Sequence, residues 1–166
     1  MKNALDRTLE ALLVVLISSL TIVVLYQVGA RYFFSNPSSV SEELARFLLI
    51  WLGLFGAAYA LGKQLHLAIT LLPDALPPTS KRWLNIVIQL FIVLFTVFVL
   101  IWGGTLLVSL TLETEQTSAA LGVKLGYVYT ALPLSGIVML LYASLNIYAG
   151  WTSQPINFYD TLNKEG

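Results

Sequence analysis

The sequence predicts an all-α, polytopic membrane protein with four transmembrane helices, and three observations lead to this fold class. Of the 166 residues, 57% are hydrophobic, and the mean hydropathy is +0.80. Only 11% are charged, too few for a soluble surface, since ordinary soluble domains carry about 25%. The charges also leave four long uncharged runs, at residues 11–30, 47–62, 83–112 and 125–159. A spanning helix needs about 20 apolar residues, so each run predicts one span.

Composition also excludes several function classes. The chain has no cysteine, which excludes a disulfide framework, a thiolate metal site and a thiol nucleophile. A net charge of zero without a basic patch argues against a nucleic-acid partner. Its one histidine cannot supply the paired ligands of a membrane haem. We therefore predict a protein that is not an enzyme and has no catalytic residues, cofactor or metal site.

The first predicted helix covers residues 8–31. It ends at Arg31, beside three aromatic residues, which suits a headgroup boundary. A cleaved signal peptide is disfavoured, because the apolar stretch is too long and the acidic residues Asp6 and Glu10 stand where a basic leader is expected. We expect this helix to be retained.

The second predicted helix covers residues 40–62. Ser39 and Glu42 have the spacing of a capping box, and Glu42 and Glu43 fall in the first turn, where negative charge favours the helix dipole. An interfacial connector is expected at residues 63–80 because it is too apolar for a free loop and contains three prolines.

The third and fourth helices are predicted at residues 81–112 and 125–151, followed by a polar tail at 152–166. Gly103 and Gly104 permit a bend or a tight crossing in the third helix. The whole chain, residues 1–166, is expected to form one membrane domain.

Counting of lysine and arginine predicts the orientation. With the N-terminus inside, six of these residues lie on the cytoplasmic side and three on the opposite side. Both termini are therefore predicted to be cytoplasmic.

The middle thirds of the predicted helices contain no Asp, Glu, Lys, Arg or His. Ionisable residues kept inside a bilayer usually mark ion pathways or proton relays. This pattern argues against a carrier that couples transport to an ion gradient alone.

The best charged constellation is Glu42, Glu43 and Arg46. On a helix, the arginine lies within reach of either carboxylate. One interpretation is a salt-bridged helix start among the headgroups. The other is a polar contact with a partner subunit or with a docking protein outside the membrane.

Two pairs of small residues lie on the second helix, Gly53 with Ala57 and Gly56 with Ala60. Such pairs allow close helix approach, either within this chain or against another protein, and the spacing does not separate the two. The lone histidine, His66, is expected to hydrogen-bond the connector to the bundle rather than to bind a metal.

Several short motifs, in order, resemble the small membrane subunit of TRAP (tripartite ATP-independent periplasmic) transporters, the DctQ-like family. An arginine-aromatic end to helix 1 precedes a Glu-Glu-Leu-Ala-Arg start to helix 2. The similarity continues to Gln64 and His66, and resumes near helix 4. The matching segments are residues 30–34, 36–37, 41–46, 51–53, 56–57, 63–66, 76–77, 118–121 and 129–134. The chain departs from the pattern at Val40, where the family often has tryptophan, and at residues 69–70, where it often has an acidic residue.

The resemblance implies a four-helix, non-catalytic subunit in the bacterial inner membrane. Its partners would be the lipid bilayer, a large multi-helix TRAP subunit that carries the substrate and sodium sites, and a periplasmic substrate-binding protein. The transported class would be organic acid anions, such as carboxylates and sialic acid, and this chain would act as a scaffold. Candidate interface or structural residues are Arg31, Glu42, Glu43, Arg46, Gly53, Gly56, Ala57, Gln64 and His66.

Two alternatives remain open from the residues. One is an autonomous small transporter or channel formed by oligomerisation. The other is a membrane anchor for a respiratory enzyme.

Overall fold

The computed structural model describes residues 2–33, 38–63 and 78–151, which are helical almost throughout. The helices are α1 (Lys2–Phe33), α2 (Ser39–Gly62), α3 (Pro78–Phe95), a π-helical segment (Thr96–Gly103), α4 (Gly104–Glu113), α5 (Leu125–Tyr129) and α6 (Ala131–Trp151). We call α3, the π-helical segment and α4 together the third span, and α5 with α6 the fourth span.

Among the described residues, four helical stretches are long and apolar enough to cross a membrane. They are Ala4–Tyr32, Ser39–Gly62, Val87–Glu113 and Leu125–Leu145. The predicted all-α fold with four spans is confirmed. Gln64, His66, nearly all of the predicted connector and the tail from residue 152 lie outside the described residues.

The first helix begins at Lys2, earlier than the predicted start near residue 8. The difference has a physical cause. Asp6 lies inside α1 rather than before it, and the carboxylates of Asp6 and Glu10 both bind side chains on other spans. A charged stretch that looks unsuited to a membrane helix is therefore accommodated by packing.

The start of α2 is capped by Ser38, so the predicted capping box of Ser39 and Glu42 is wrong by one residue. The Ser38 side chain accepts a hydrogen bond from the Ser41 backbone N–H at 3.4 Å. In return, the Ser41 hydroxyl donates to the Ser38 carbonyl oxygen at 2.9 Å. Glu42 is then one position too far along to bond back, and it pairs with Arg46 instead.

The third span contains an eight-residue π-helical segment, Thr96–Gly103. π-Helical turns are rare, and here threonines stand near both ends. The Thr96 and Thr105 hydroxyls each donate to the carbonyl oxygen four residues earlier, at 2.7 Å, a contact that bends helices. Just after the segment, Gly104 lies against the fourth span, where an added Cβ would be 2.8 Å from the Leu132 Cβ. This close contact fits the predicted tight crossing at Gly103-Gly104.

The spans pack in the order α1, α2, fourth span, third span. Backbone contacts join α1 to α2, α2 to the fourth span, and the fourth span to the third. Among the described residues, the backbones of α1 and the third span are not in contact. The two outer spans of the row therefore leave much of their apolar surface uncovered.

The two inner spans, α2 and the fourth, run parallel to each other. Midway along α2, the Trp51 indole N–H donates at 3.1 Å to the carbonyl oxygen of Val128, near the start of the fourth span. At the end of α2, the fully buried ring of Tyr142 lies against Gly62, where an added Cβ would be 2.5 Å from ring carbons. Only a glycine permits this approach.

Candidate functional site

The Glu43 clamp, which we define as Glu43 with residues 118–121, joins the start of α2 to the loop between the third and fourth spans. The Glu43 carboxylate accepts backbone N–H bonds from Ala119 at 3.1 Å, Ala120 at 3.0 Å and Leu121 at 3.1 Å. It also accepts a short hydrogen bond from the Ser118 hydroxyl. Charge-assisted bonds of this kind are among the stronger ones in proteins, so one side chain holds the whole turn.

The loop itself is shaped for this contact. An isolated bridge pairs Thr117 with Lys124, and Gly122 has a φ of 65°, a value that favours glycine. The resulting turn directs three successive N–H groups toward Glu43.

The structure gives the three residues of the predicted charged constellation two separate roles. Arg46 pairs with Glu42 at 3.1 Å, and the two side chains are 65% and 61% exposed. The Glu43 carboxylate instead accepts hydrogen bonds from residues 118–121 of the loop. Beside the pair lies a notch of about 270 Å³ lined by Ser39, Glu42, Glu43, Arg46, Ala119 and Ala120. The notch presents one exposed ion pair, of the kind that contributes little to stability.

The Asp6 cluster, which consists of Asp6, Glu10, Tyr59, Lys63 and Tyr142, lies at the opposite end of α2. The Tyr142 hydroxyl donates to one oxygen of Asp6, and the Lys63 ammonium is 3.3 Å from the other. Lys63 is also 3.5 Å from Glu10, and the Tyr59 hydroxyl donates to Glu10 at 2.7 Å. Three spans are thus joined by side chains alone.

The charge on Lys63 is favoured by its surroundings. Burial alone would lower the pKa of its ammonium group, but the hydrogen bond and negative charge of Asp6 outweigh this effect. The pKa of Lys63 is therefore raised above its ordinary value, and the lysine stays protonated at neutral pH.

The remaining predicted residues lie apart from these clusters. Arg31 is exposed near the end of α1. Gly56 faces Leu13 of α1, whereas an added Cβ at Gly53 would meet none of the described residues within 4 Å, and Ala57 is exposed. One small pair therefore faces another span of this chain, and the described residues leave open space beside the other.

Sequence reasoning missed the Asp6 cluster and the partner of Glu43. A signal for the first was present, because Asp6 and Glu10 are four residues apart on one face of an otherwise apolar helix. No local signal links Glu43 to Ser118, which is 75 residues away. In the part of the chain that the structure describes, no three His, Cys, Asp or Glu residues are grouped as metal ligands would be.

Comparison with known proteins supplies the family. Residues 20–153 match the family described as tripartite ATP-independent periplasmic transporters, DctQ component. The chain is 31% identical over 145 residues to the sialic acid TRAP transporter small permease protein SiaQ of Vibrio cholerae, covering 84% of this chain and 79% of SiaQ.

Two relatives from Haemophilus influenzae show the same region in different contexts. A protein described as a TRAP transporter small permease is 28% identical over 135 residues, which cover 81% of this chain and 82% of the relative. The sialic acid TRAP transporter permease protein SiaT is 27% identical over 141 residues, which cover 82% of this chain but 22% of SiaT. The region thus matches both small permease proteins and one part of a much longer permease.

The match covers most of the chain, and it agrees with the four apolar spans of the structure. This chain therefore belongs to the DctQ component family of TRAP transporters, whose small permease subunits are membrane components of transport and not enzymes.

Proposed function

We propose that this subunit is the non-transporting scaffold of a sodium-coupled, binding-protein-dependent transporter for organic acid anions in the bacterial inner membrane. The observation that carries the proposal is that charged side chains of the subunit bind other parts of the same subunit. Glu43 holds a loop, and Asp6, Glu10 and Lys63 hold three spans together. These charges serve the subunit's own architecture, as a rigid support requires.

The partner in this proposal is a large TRAP membrane subunit. Family membership supports it, and so does the relative SiaT, in which the matching region makes up only 22% of the chain. The names of SiaQ and SiaT support sialic acid, a carboxylate, as one member of the substrate class. The substrate and sodium sites belong to the large subunit in this proposal.

The orientation remains the one predicted from the sequence, with both termini cytoplasmic. The Asp6 cluster then lies at the cytoplasmic end of the bundle, and the Glu43 clamp lies at the periplasmic end. In this arrangement the notch beside Glu42 and Arg46 faces the compartment of the binding protein. Its exposed ion pair is suited to a polar docking contact rather than to a buried one.

Reconstitution in liposomes tests the scaffold role. We expect sodium-driven uptake of a carboxylate substrate only when this subunit, the large subunit and the binding protein are present together. Uptake by this chain alone would contradict the proposal and favour the autonomous oligomeric transporter. A large subunit that transports at full rate without this chain would also contradict it.

A further inference from the structure

The π-helical segment divides the third span into two halves that are held in different ways. Most backbone contacts between the third and fourth spans are made by the π-helical segment and α4. The two spans interlock at glycines of the fourth span. At Gly136, an added Cβ would lie 2.8 Å from the Ile101 side chain, and at Gly126 it would lie 2.5 Å from Leu112. This half of the third span is therefore fixed against its neighbour.

The other half, α3, has no comparable support. None of residues 87–95 is buried. Among the described residues, no Cα of α3 lies within 8 Å of a Cα of α2. An open groove of about 310 Å³ separates the two helices, and its lining includes Ala57, Leu61, Phe91, Phe95 and Met139. Space is therefore left between α3 and α2 on the side where α3 could approach.

Exposure by itself does not distinguish α3, because α1 is exposed along much of its length as well. The two outer helices differ in support and in regularity. α1 is one unbroken α-helix that packs along α2, and Asp6 ties it to the fourth span. Within the described ranges, α3 contacts only the fourth span among the other spans, and it continues into α4 through an irregular segment. Neither the Asp6 cluster nor the Glu43 clamp includes a residue of α3.

The π-helical segment can bend without leaving polar backbone groups unpaired. Most π-helical segments are single turns, so a run of eight residues is long. At its start, the fully buried Thr96 donates its hydroxyl to the Ile92 carbonyl oxygen. After its end, the Thr105 hydroxyl lies 2.7 Å from the Ile101 carbonyl oxygen and 2.9 Å from that of Trp102. These hydroxyls supply hydrogen bonds to carbonyl groups that a bending helix releases, which the apolar bilayer cannot do.

We propose that the π-helical segment is a hinge about which α3 swings toward α2 and closes the groove, while α4 and the other three spans stay in place. In the closed arrangement, Phe91 and Phe95 pack against the face of α2 that carries Ala57. Lipid chains solvate an apolar groove about as well as helix side chains do, so the two arrangements differ little in free energy and both are populated. The movement requires no second protein, so its test is independent of the proposed partners.

Disulfide trapping tests whether α3 reaches α2. The chain contains no cysteine, so cysteine pairs can be introduced into the full-length subunit, studied as one copy per lipid nanodisc. In the open arrangement A57C and F91C cannot bond, because their Cα atoms are more than 8 Å apart and a disulfide needs about 4.4–6.8 Å. The control pair is G53C with F98C, where the third span is fixed and the Cα atoms are also more than 8 Å apart. On oxidation, we expect at least several-fold more disulfide for A57C with F91C. Equal yields for the two pairs would overturn the hinge.

Distances between spin labels show whether both arrangements are populated. One pair of labels is attached at V14C of α1 and L90C of α3, and the control pair is V14C with L106C of α4. All three side chains are exposed, and none of them lines the groove. We expect a broad or two-peaked distance distribution for the α3 pair and a single narrow peak for the α4 pair. Equally narrow distributions would show that α3 is as fixed as α4 and would contradict the proposal.

A change in the hinge itself gives a third test. T96V keeps the size of the side chain but removes the hydroxyl that bonds the Ile92 carbonyl oxygen, so bending becomes more costly. S109A removes a similar hydroxyl bond to the Leu106 carbonyl oxygen inside α4, away from the π-helical segment. We expect T96V to narrow the distance distribution of the α3 pair and to lower the A57C–F91C disulfide yield several-fold, and S109A to change neither. A distribution as broad with T96V as without it would overturn the π-helical segment as the hinge.

Discussion

The two ends of α2 are tied to the rest of the subunit in different ways. At one end, a single carboxylate, Glu43, accepts hydrogen bonds from the Ser118 hydroxyl and three consecutive backbone N–H groups of a loop. At the other end, the Asp6 cluster joins side chains of three spans around the fully buried Tyr142. The clamp fixes a loop conformation, and the cluster fixes how helices stand beside one another. We therefore expect substitutions in the Glu43 clamp and substitutions in the Asp6 cluster to change different measurable properties of the subunit.

The largest effect on stability is expected from Asp6→Ala. This change leaves the buried Tyr142 hydroxyl without its acceptor and removes the closer partner of Lys63. We expect a loss of about 2–3 kcal/mol in the free energy of unfolding, measured by thermal or denaturant unfolding in detergent. Glu10→Ala is the matched control, because Glu10 is 46% exposed, and we expect a loss of at most about 1 kcal/mol. Equal losses would show that the cluster is not organised around Asp6.

A second change tests the packing on which the Asp6 cluster depends. Gly62→Ala places a methyl group 2.5 Å from the ring carbons of Tyr142, which is enclosed on all sides and cannot move away freely. We expect a loss of about 1–3 kcal/mol in the same assay. Gly29→Ala, where an added Cβ meets nothing, should be neutral or stabilising by up to about 1 kcal/mol. A neutral Gly62→Ala would mean that α2 and α6 are not held this close.

At the opposite end, Glu43→Gln should loosen the loop rather than separate the spans. An amide has one acceptor oxygen and no charge, so it cannot hold the three N–H groups and the Ser118 hydroxyl together. We expect hydrogen exchange at the amides of residues 119–121 to rise by about tenfold or more. Exchange in α6 should stay unchanged. Glu42→Gln removes only an exposed partner of Arg46, and we expect no change in loop exchange.

The smallest effect on stability is expected from Arg46→Ala, because the Arg46–Glu42 pair is mostly exposed. The free energy of unfolding should change by at most about 0.5 kcal/mol. If the notch is a docking surface, uptake should nevertheless fall at low concentrations of binding protein and recover at high ones. This difference should shrink as salt is raised, since exposed charges are screened. Unchanged uptake at every concentration of binding protein and every salt level would contradict a docking role for the notch.

Much of the fold could be predicted from the sequence because the signals for it are local. The number of spans follows from the four long uncharged runs, of which the run at residues 47–62 reaches spanning length only together with the charged start of α2. The positions of α2 and of the third and fourth spans follow from the same runs. The predicted start of α1 is too late, because Asp6 looks like a residue outside a membrane until its partner on another span is known.

The candidate site was only partly predictable. The sequence drew attention to Glu42, Glu43 and Arg46, but helix spacing alone allows the arginine to pair with either carboxylate. The structure pairs it with Glu42 and gives Glu43 to the loop. In the same way, the two small pairs on α2 look alike in sequence. Only the position of α1 shows that Gly56 faces Leu13 of that helix, whereas an added Cβ at Gly53 would meet none of the described residues.

The sequence by itself determined that this is a four-span membrane subunit with its charges at the ends of the spans and in the segments between them. These properties depend on the length and polarity of continuous segments, which each segment carries within itself. Only the tertiary structure decided that Asp6 meets Tyr142, that Glu43 meets Ser118, and that a groove is left open beside Ala57. Such contacts join residues far apart in the chain, and they exist only once the spans have packed in one particular order.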